Sequence, residues 1–177
     1  MRLAILDRDG VINYDSNAFI KNPEEWKPIP GSLDAIAHLT QSSYRVVVAT
    51  NQSGIGRGLL DMTAFNAINE KMIKAVNQAG GRIDAVFFCP HTQSEQCNCR
   101  KPENGLFKDI AERFSLDLKG TPAIGDSLRD LQAAASVGAI PMLVLTGKGL
   151  ETQTAGKLPL NTKIYSDLAQ AVDNLTG

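Results

Sequence analysis

The chain carries no excess charge of either sign: its 177 residues have a formal net charge of -1. Nucleic acid and anionic membranes therefore find no basic field to recruit them. Long apolar runs are also missing, and none approaches the roughly 20 residues needed to cross a bilayer. No basic segment followed by an apolar one opens the chain, because Arg2-Leu3-Ala4-Ile5-Leu6 runs straight into Asp7. A cytoplasmic protein is expected. Cysteine is scarce and poorly placed for stapling a fold, since Cys89, Cys97 and Cys99 are the only three and lie close together. An odd, clustered set points to metal binding or free thiols rather than disulfides. Repeats and low-complexity tracts are absent. At this length, one domain spanning residues 1–177 with a substantial core is expected.

What is present is an alternation. Short apolar, strand-like segments at Leu3–Leu6, Arg45–Ala49, Ile83–Phe88, Pro122–Ile124, Ile140–Leu145 and Lys163–Tyr165 alternate with helical patterns. The helical patterns cover Ser32–Leu39, Thr63–Ala79, Gly105–Phe114, Leu128–Val137 and Asp167–Leu175. Phe65, Ile68, Met72, Ile73 and Val76 fall at helical spacing, with Thr63 as N-cap and Gly80-Gly81 as the stop. The pattern predicts an α/β fold: a parallel sheet sandwiched by helices, with ligands bound beyond the carboxyl ends of its strands. Two irregular stretches, Val11–Pro30 and Cys89–Asn104, lack the length and periodicity of an inserted cap domain. An open site is expected.

Several polar groups sit at those strand ends. Asp7 and Asp9 leave the first strand together, and residues i and i+2 of an extended segment point the same way. Such a pair divides group transfer between an attacking carboxylate and a proton-handling one; the plain alternative is an acidic turn. The segment Thr50-Asn51-Gln52-Ser53-Gly54 offers a hydroxyl beside backbone N–H groups, suited to phosphate oxygens or simply to a polar turn. Gly56 and Arg57 add an anion contact nearby. Lys101 brings a compact charge for a phosphoryl group, and Arg100 a grip on a second anion. Gly125-Asp126-Ser127-Leu128-Arg129-Asp130 offers Asp126 to a hard cation such as Mg2+, or a cap to the helix that follows. Asp130 is placed as a supporting partner. Cys89, His91, Cys97 and Cys99 make a closed Cys3His set for structural Zn2+, ordering a loop too poor in apolar residues to order itself. His38, by contrast, reads as a helix residue without partners.

The combination Asp7-x-Asp9-Gly10, Thr50, Lys101 and Gly125-Asp126-x3-Asp130, in that order, closely resembles the haloacid dehalogenase (HAD) phosphatase superfamily. The resemblance implies a Rossmann-like sheet and Mg2+-dependent phosphoryl transfer. Asp7 would be the nucleophile and Asp9 the proton shuttle; Mg2+ would be held by Asp7, the Asp9 carbonyl and Asp126, and the phosphoryl group by Thr50 and Lys101. The zinc loop running into Arg100-Lys101-Pro102 narrows the likeness to a capless group acting on heptose 1,7-bisphosphate or histidinol phosphate. Asn51 to Gly58 lies nearer the heptose members, where Asp15, Ser16, Asn17, Ala18, Thr50, Asn51, Gln52, Ser53, Arg100 and Lys101 match the substrate-contact segments. Ser127 stands where members often have Lys. The implied activity removes the 7-phosphate of the heptose, a step toward the lipopolysaccharide core. Histidinol phosphate is the alternative substrate. Two further readings are a nucleic-acid end phosphatase, suggested by Thr50–Gly58, and a non-catalytic phospho-receiver or zinc-stabilised interaction module. The expected partner is a small phosphorylated sugar, with neither nucleic acid nor membrane, and the absence of a long exposed apolar stripe suggests a monomer.

Overall fold

Strand β1 (Arg2–Leu6) is buried from Leu3 onward because both faces of its sheet are covered. In the computed structural model, which describes residues 1–177, Ala4 and Leu6 pack into one apolar cluster and Leu3 and Ile5 into another. That is the two-residue alternation of an extended strand. β2 (Tyr44–Asn51) divides the same way, Val46 and Val48 to the first cluster, Val47 and Ala49 to the second. β3 (Ala85–Cys89), β4 (Pro122–Gly125), β5 (Ile140–Val144) and β6 (Lys163–Tyr165) complete a six-stranded sheet of order β3-β2-β1-β4-β5-β6. Every neighbouring pair is parallel.

Helices α1 (Ser32–Gln41), α3 (Met62–Gln78) and α7 (Leu168–Thr176) bury their stripes in the first cluster, α4 (Gly105–Phe114) and α5 (Leu128–Ser136) in the second. Short helices α2 (Ser53–Gly56) and α6 (Gly149–Ala155) follow β2 and β5. On α3 the buried positions are Phe65, Ile68, Met72 and Val76, each worth about 1.5–3 kcal/mol of transfer free energy.

The chain lays β2 and β3 to one side of β1, then crosses back to place β4 on the other. Ile5 pairs with Ala123 and Leu6 with Ile124, so the switch point lies between the carboxyl ends of β1 and β4, where open sheets bind ligands.

The structure corrects the sequence reading in several places. The α3 cap is Asp61, whose carboxylate accepts the Ala64 N–H at 2.8 Å; Thr63 lies inside the helix. The Gly80-Gly81 stop holds, with Gly80 at φ 92°. β2 continues to Asn51 because Thr50 and Asn51 pair with Phe88 and Cys89. β3 begins at Ala85, after Asp84, whose carboxylate accepts the Val46 N–H. α2 and α6 have no apolar stripe to announce them. His38 does have partners: Nε2 lies 3.3 Å from the Thr176 hydroxyl and Nδ1 3.7 Å from Asp173. Val11–Pro30 is no cap, as its length and pattern lead us to expect; Val11, Ile12, Ile20 and Trp26 fold it into the first cluster.

Candidate active site

Asp7, Asp9, Thr50, Lys101 and Asp126 converge on one cleft of about 180 Å³ at the switch point. Asp7 is held by one oxygen: Oδ1 accepts the Arg8 N–H at 2.8 Å and lies 3.3 Å from Lys101 Nζ. Lys101 is buried and donates to Asp130 Oδ1 at 2.5 Å and to the Ala49 carbonyl at 2.8 Å. Burial alone would lower its pKa, but Asp130 and then Asp7 reverse this and hold the ammonium well above the usual lysine value. Asp130 is fully occupied. Its Oδ2 accepts from the backbone N–H groups of Asp126 and Ser127 and from the Ser127 hydroxyl. Burial disfavours its charge, yet Lys101 outweighs that and keeps its carboxyl low.

Asp7 and Asp126 are left under-compensated. Burial, then the charge of Asp130, raises Asp7 well above the usual carboxylate value and Asp126 up to about 7. Carboxylate oxygens of Asp7, Asp126 and Asp130 lie within 4.8 Å of one another, with Lys101 the one buried cation among them. No backbone N–H reaches the Asp9 carbonyl. Excess negative charge beside a free carbonyl suits a hard divalent cation. Asp7, Asp126 and the Asp9 carbonyl could hold it, and Asp130, being engaged elsewhere, supports them.

Gly10 makes this cluster possible. It sits at φ +87°, and a Cβ there would collide with the Asp126 carboxylate. Its carbonyl accepts the Thr146 hydroxyl at 2.6 Å, while the Thr152 hydroxyl donates to the Asp126 carbonyl at 2.8 Å.

A pH dependence follows. Between its ordinary value of 3.8 and about 7, Asp126 binds more proton in the folded chain than in the unfolded one. The metal-free protein should therefore lose stability as pH rises through that window. Mg2+ must displace the proton, so its apparent affinity should fall as pH drops below about 7. Thermal melts with and without Mg2+ across this range measure both; a Mg2+ effect that grows toward acid would contradict the assignment.

Asp9 is gripped on both oxygens. Arg8 Nε donates to Oδ1 at 2.9 Å, Asn13 Nδ2 to Oδ1 at 2.9 Å, and Gln52 Nε2 to Oδ2 at 3.1 Å. Burial pushes its carboxyl up, but the Arg8 guanidinium more than offsets this and holds it below the usual value. Thr50 presents its hydroxyl from β2, 1% exposed. Asn51 exchanges two hydrogen bonds with the Lys101 backbone, at 3.1 and 3.0 Å, tying the end of β2 to the lysine.

Of the expected substrate contacts, Asp15, Ser16, Asn17, Thr50, Asn51, Gln52, Ser53, Arg100 and Lys101 line the cleft and Ala18 does not. Arg57 stands over the Phe19 ring instead. Ser127 caps α5. Arg129 and Lys148 line the cleft unannounced by the sequence, and sequence reading also missed Arg8 and Asn13, the fully buried partners of Asp9.

Beside the cleft, ligand atoms of Cys89, His91, Cys97 and Cys99 lie within 4.8 Å of one another, and all three thiols are free. Cys89 Sγ is 3.6 Å from Cys97 Sγ, and His91 Nδ1 is 3.3 Å from Cys99 Sγ. Tetrahedral zinc with bonds of ~2.3 Å to sulfur sets ligands ~3.7 Å apart, so the cluster could hold Zn2+. Burial opposes ionisation of Cys97, but the Arg100 N–H and neighbouring thiols bring it down to about 6. Burial holds the Cys89 and Cys99 thiols above the usual value, so a metal must displace their protons. Stripping the metal, or Cys99→Ser, should lower the melting temperature by roughly 5 °C or more, ~2 kcal/mol at this size. Amide exchange should rise over residues 89–104 and spare α1 and α7; uniform exchange or an unchanged melt would refute a structural metal.

Comparison with known proteins agrees with this geometry. Residues 98–171 match the HAD-hydrolase-like family and residues 2–127 the polynucleotide kinase 3 phosphatase family. The chain is 55% identical over 175 residues to D-glycero-beta-D-manno-heptose-1,7-bisphosphate 7-phosphatase of Bordetella bronchiseptica, covering 99% of this chain and 98% of that one. It is 50% identical to the Pseudomonas putida protein of the same name, covering 96% of each. The crystal structure of the B. bronchiseptica D,D-heptose 1,7-bisphosphate phosphatase with magnesium and phosphate superposes with a TM-score of 0.98 over 99% of this chain and 98% of that one.

Proposed function

Since the chain belongs to the HAD phosphatases and, within them, to the heptose-1,7-bisphosphate 7-phosphatase family, we propose that it removes the 7-phosphate of D-glycero-β-D-manno-heptose 1,7-bisphosphate. The observation that carries this reading is the cleft itself: two under-compensated carboxylates, a buried lysine and a threonine hydroxyl around one small space. Asp7 attacks phosphorus, and the bond from phosphorus to the sugar oxygen breaks as the aspartyl-phosphate forms. Asp9 gives its proton to the departing oxygen. Water then attacks phosphorus, its proton passes to Asp9, and the bond to Asp7 breaks to release phosphate. Lys101 and Thr50 hold the phosphoryl oxygens. Mg2+, when bound by Asp7, Asp126 and the Asp9 carbonyl, screens the negative charge that carboxylate and phosphate bring together.

The free protein holds Asp9 ionised, the form needed to accept a proton from water. A phosphate dianion arriving beside it disfavours that charge and draws a proton onto the carboxyl for the first step.

The rim supports a bisphosphate. Arg100 and Arg129 both line the cleft, and neither has a carboxylate within 4.0 Å. Burial and then the charge of Arg129 lower the pKa of Arg100. Two adjacent unpaired cations call for an anion and repel the ammonium of histidinol phosphate. Match to the polynucleotide phosphatase family spans Asp7, Thr50, Lys101 and Asp126, so it speaks to the phosphoryl chemistry and not to the leaving group.

Turnover of heptose bisphosphate and histidinol phosphate at matched concentration tests the reading, with at least ~100-fold higher kcat/KM expected for the bisphosphate. Arg100→Ala and Arg129→Ala should each lower kcat/KM for the bisphosphate by about 10–100-fold while sparing a sugar monophosphate. Equal losses on both substrates would remove the argument for a second phosphate site. We place the activity in lipopolysaccharide core heptose synthesis in the cytoplasm, carried by a single monomeric domain, residues 1–177. No helix is long and apolar enough to cross a membrane, and both apolar clusters flank the same sheet.

A further inference from the structure

Gln52 is 5% exposed, and every polar atom of its side-chain amide is occupied within the protein. Nε2 donates to Asp9 Oδ2 at 3.1 Å and to Thr50 Oγ1 at 2.9 Å, which uses both of its hydrogens. Oε1 accepts from Arg8 Nη2 at 3.3 Å. The amide orientation is set from both sides, because a cation faces the oxygen and a carboxylate faces the nitrogen. Such an amide has no hydrogen left to donate to a sugar. It joins the two groups that must meet the phosphate ester from different directions, Asp9 at the bridging oxygen and Thr50 at a non-bridging one.

Arg8 completes the arrangement. It is fully buried beside Asp9, with Nε at 2.9 Å and Nη2 at 3.3 Å from the two carboxylate oxygens. Asn13 closes the remaining side at 2.9 Å. A carboxylate on a loop after a strand would otherwise sample several rotamers, and misplacement by about 1 Å costs on the order of 10²-fold in rate.

We propose that Gln52 is a positioning residue: it locks the Asp9 carboxyl at a fixed distance from the Thr50 hydroxyl, with Arg8 bracing it, and makes no contact with the sugar. The proposal rests on the reading of Asp9 as the proton-transfer group. It predicts a defect that depends on the leaving group. An alkoxide must be protonated to leave, whereas 4-nitrophenolate leaves without a proton.

The experiment is a single-turnover measurement of alcohol release from a sugar phosphate and of nitrophenol release from 4-nitrophenyl phosphate, in the zinc-loaded, Mg2+-containing protein. Gln52→Met, of similar length and without hydrogen bonds, should lower the sugar-to-aryl rate ratio by about 10-fold or more, with the loss in rate and not in KM. Gln52→Asn, a milder shortening, should fall between it and the parent; it also serves if the methionine variant fails to fold. Asp9→Asn is run alongside and should show the same selectivity more strongly. A ratio unchanged in both Gln52 variants, or a defect confined to KM for the sugar, overturns the positioning role while Asp9→Asn remains selective. Were Asp9→Asn itself unselective, the reading of Asp9 would fail first.

Discussion

Asp7→Asn should abolish phosphate release and, in magnesium-free buffer, raise the melting temperature. The first half follows from chemistry: a neutral amide cannot form the aspartyl-phosphate, and loss of a nucleophile costs roughly 10⁴-fold or more. The second half follows from electrostatics. Burial, Asp130, Asp126 and Asp9 all oppose the charge on Asp7, and Lys101 compensates only in part. Its folded-state pKa lies above the unfolded one, so at neutral pH its ionised form destabilises the metal-free fold. Asparagine fills the same space without the charge and leaves Lys101 paired to Asp130. Mg2+ should narrow or invert the difference, because only the parent gains from the metal. Melts of both proteins with and without Mg2+, together with a phosphate-release assay, check this. Substantial residual turnover would end the nucleophile assignment, and a lower metal-free melt would show that Asp7 is better compensated than its surroundings imply.

Lys101→Met carries the largest stability cost. The ammonium is buried between Asp130 and Asp7 and also donates to the Ala49 carbonyl. Removing it strands two buried carboxylates, for which about 3–5 kcal/mol is typical, in addition to the loss of a phosphoryl contact. The stranded carboxyls move up in pKa, so the variant should suffer more at alkaline than at acid pH. Urea unfolding at two pH values measures the cost and its sign. Adding Asp130→Asn should recover part of the loss, since the paired changes remove charge together. A cost below ~1 kcal/mol would mean that water reaches these charges.

The alternation of apolar strands and helical stripes was enough to place Asp7, Thr50 and Asp126 at strand ends, because period and burial are local properties of sequence. Lys101 and the Cys/His cluster that could hold zinc were legible for a different reason: unusual residue types crowded at short spacing. What sequence reading missed is contact between distant positions. Nothing in the order Asp7-Arg8-Asp9 says that Arg8 turns back onto Asp9, nor that Gln52, just past the end of β2, reaches both Asp9 and Thr50. Asn51 lines the cleft as expected, but nothing in the sequence says that its amide also pairs with the backbone of Lys101. Helix α6 escaped notice because Gly149–Ala155 has no stripe; Thr152 anchors it to the Asp126 carbonyl.

The order of the strands sets when the chemistry can begin. β1 leaves the ribosome before every other strand described, yet it lies at the centre of the sheet, and its neighbour β4 is made only after β2, β3 and α4. Asp7 emerges early and meets Asp126 only after β4 is made. The loop that carries Thr146 to the Gly10 carbonyl comes later still. Pairings so distant along the chain form late and slowly. A chain cut short of β4 would therefore expose the Asp7 carboxylate without Asp126 or the finished cleft. The three carboxylates that could hold a cation come together only once β4 has docked beside β1, so a chain cut before it would lack that site.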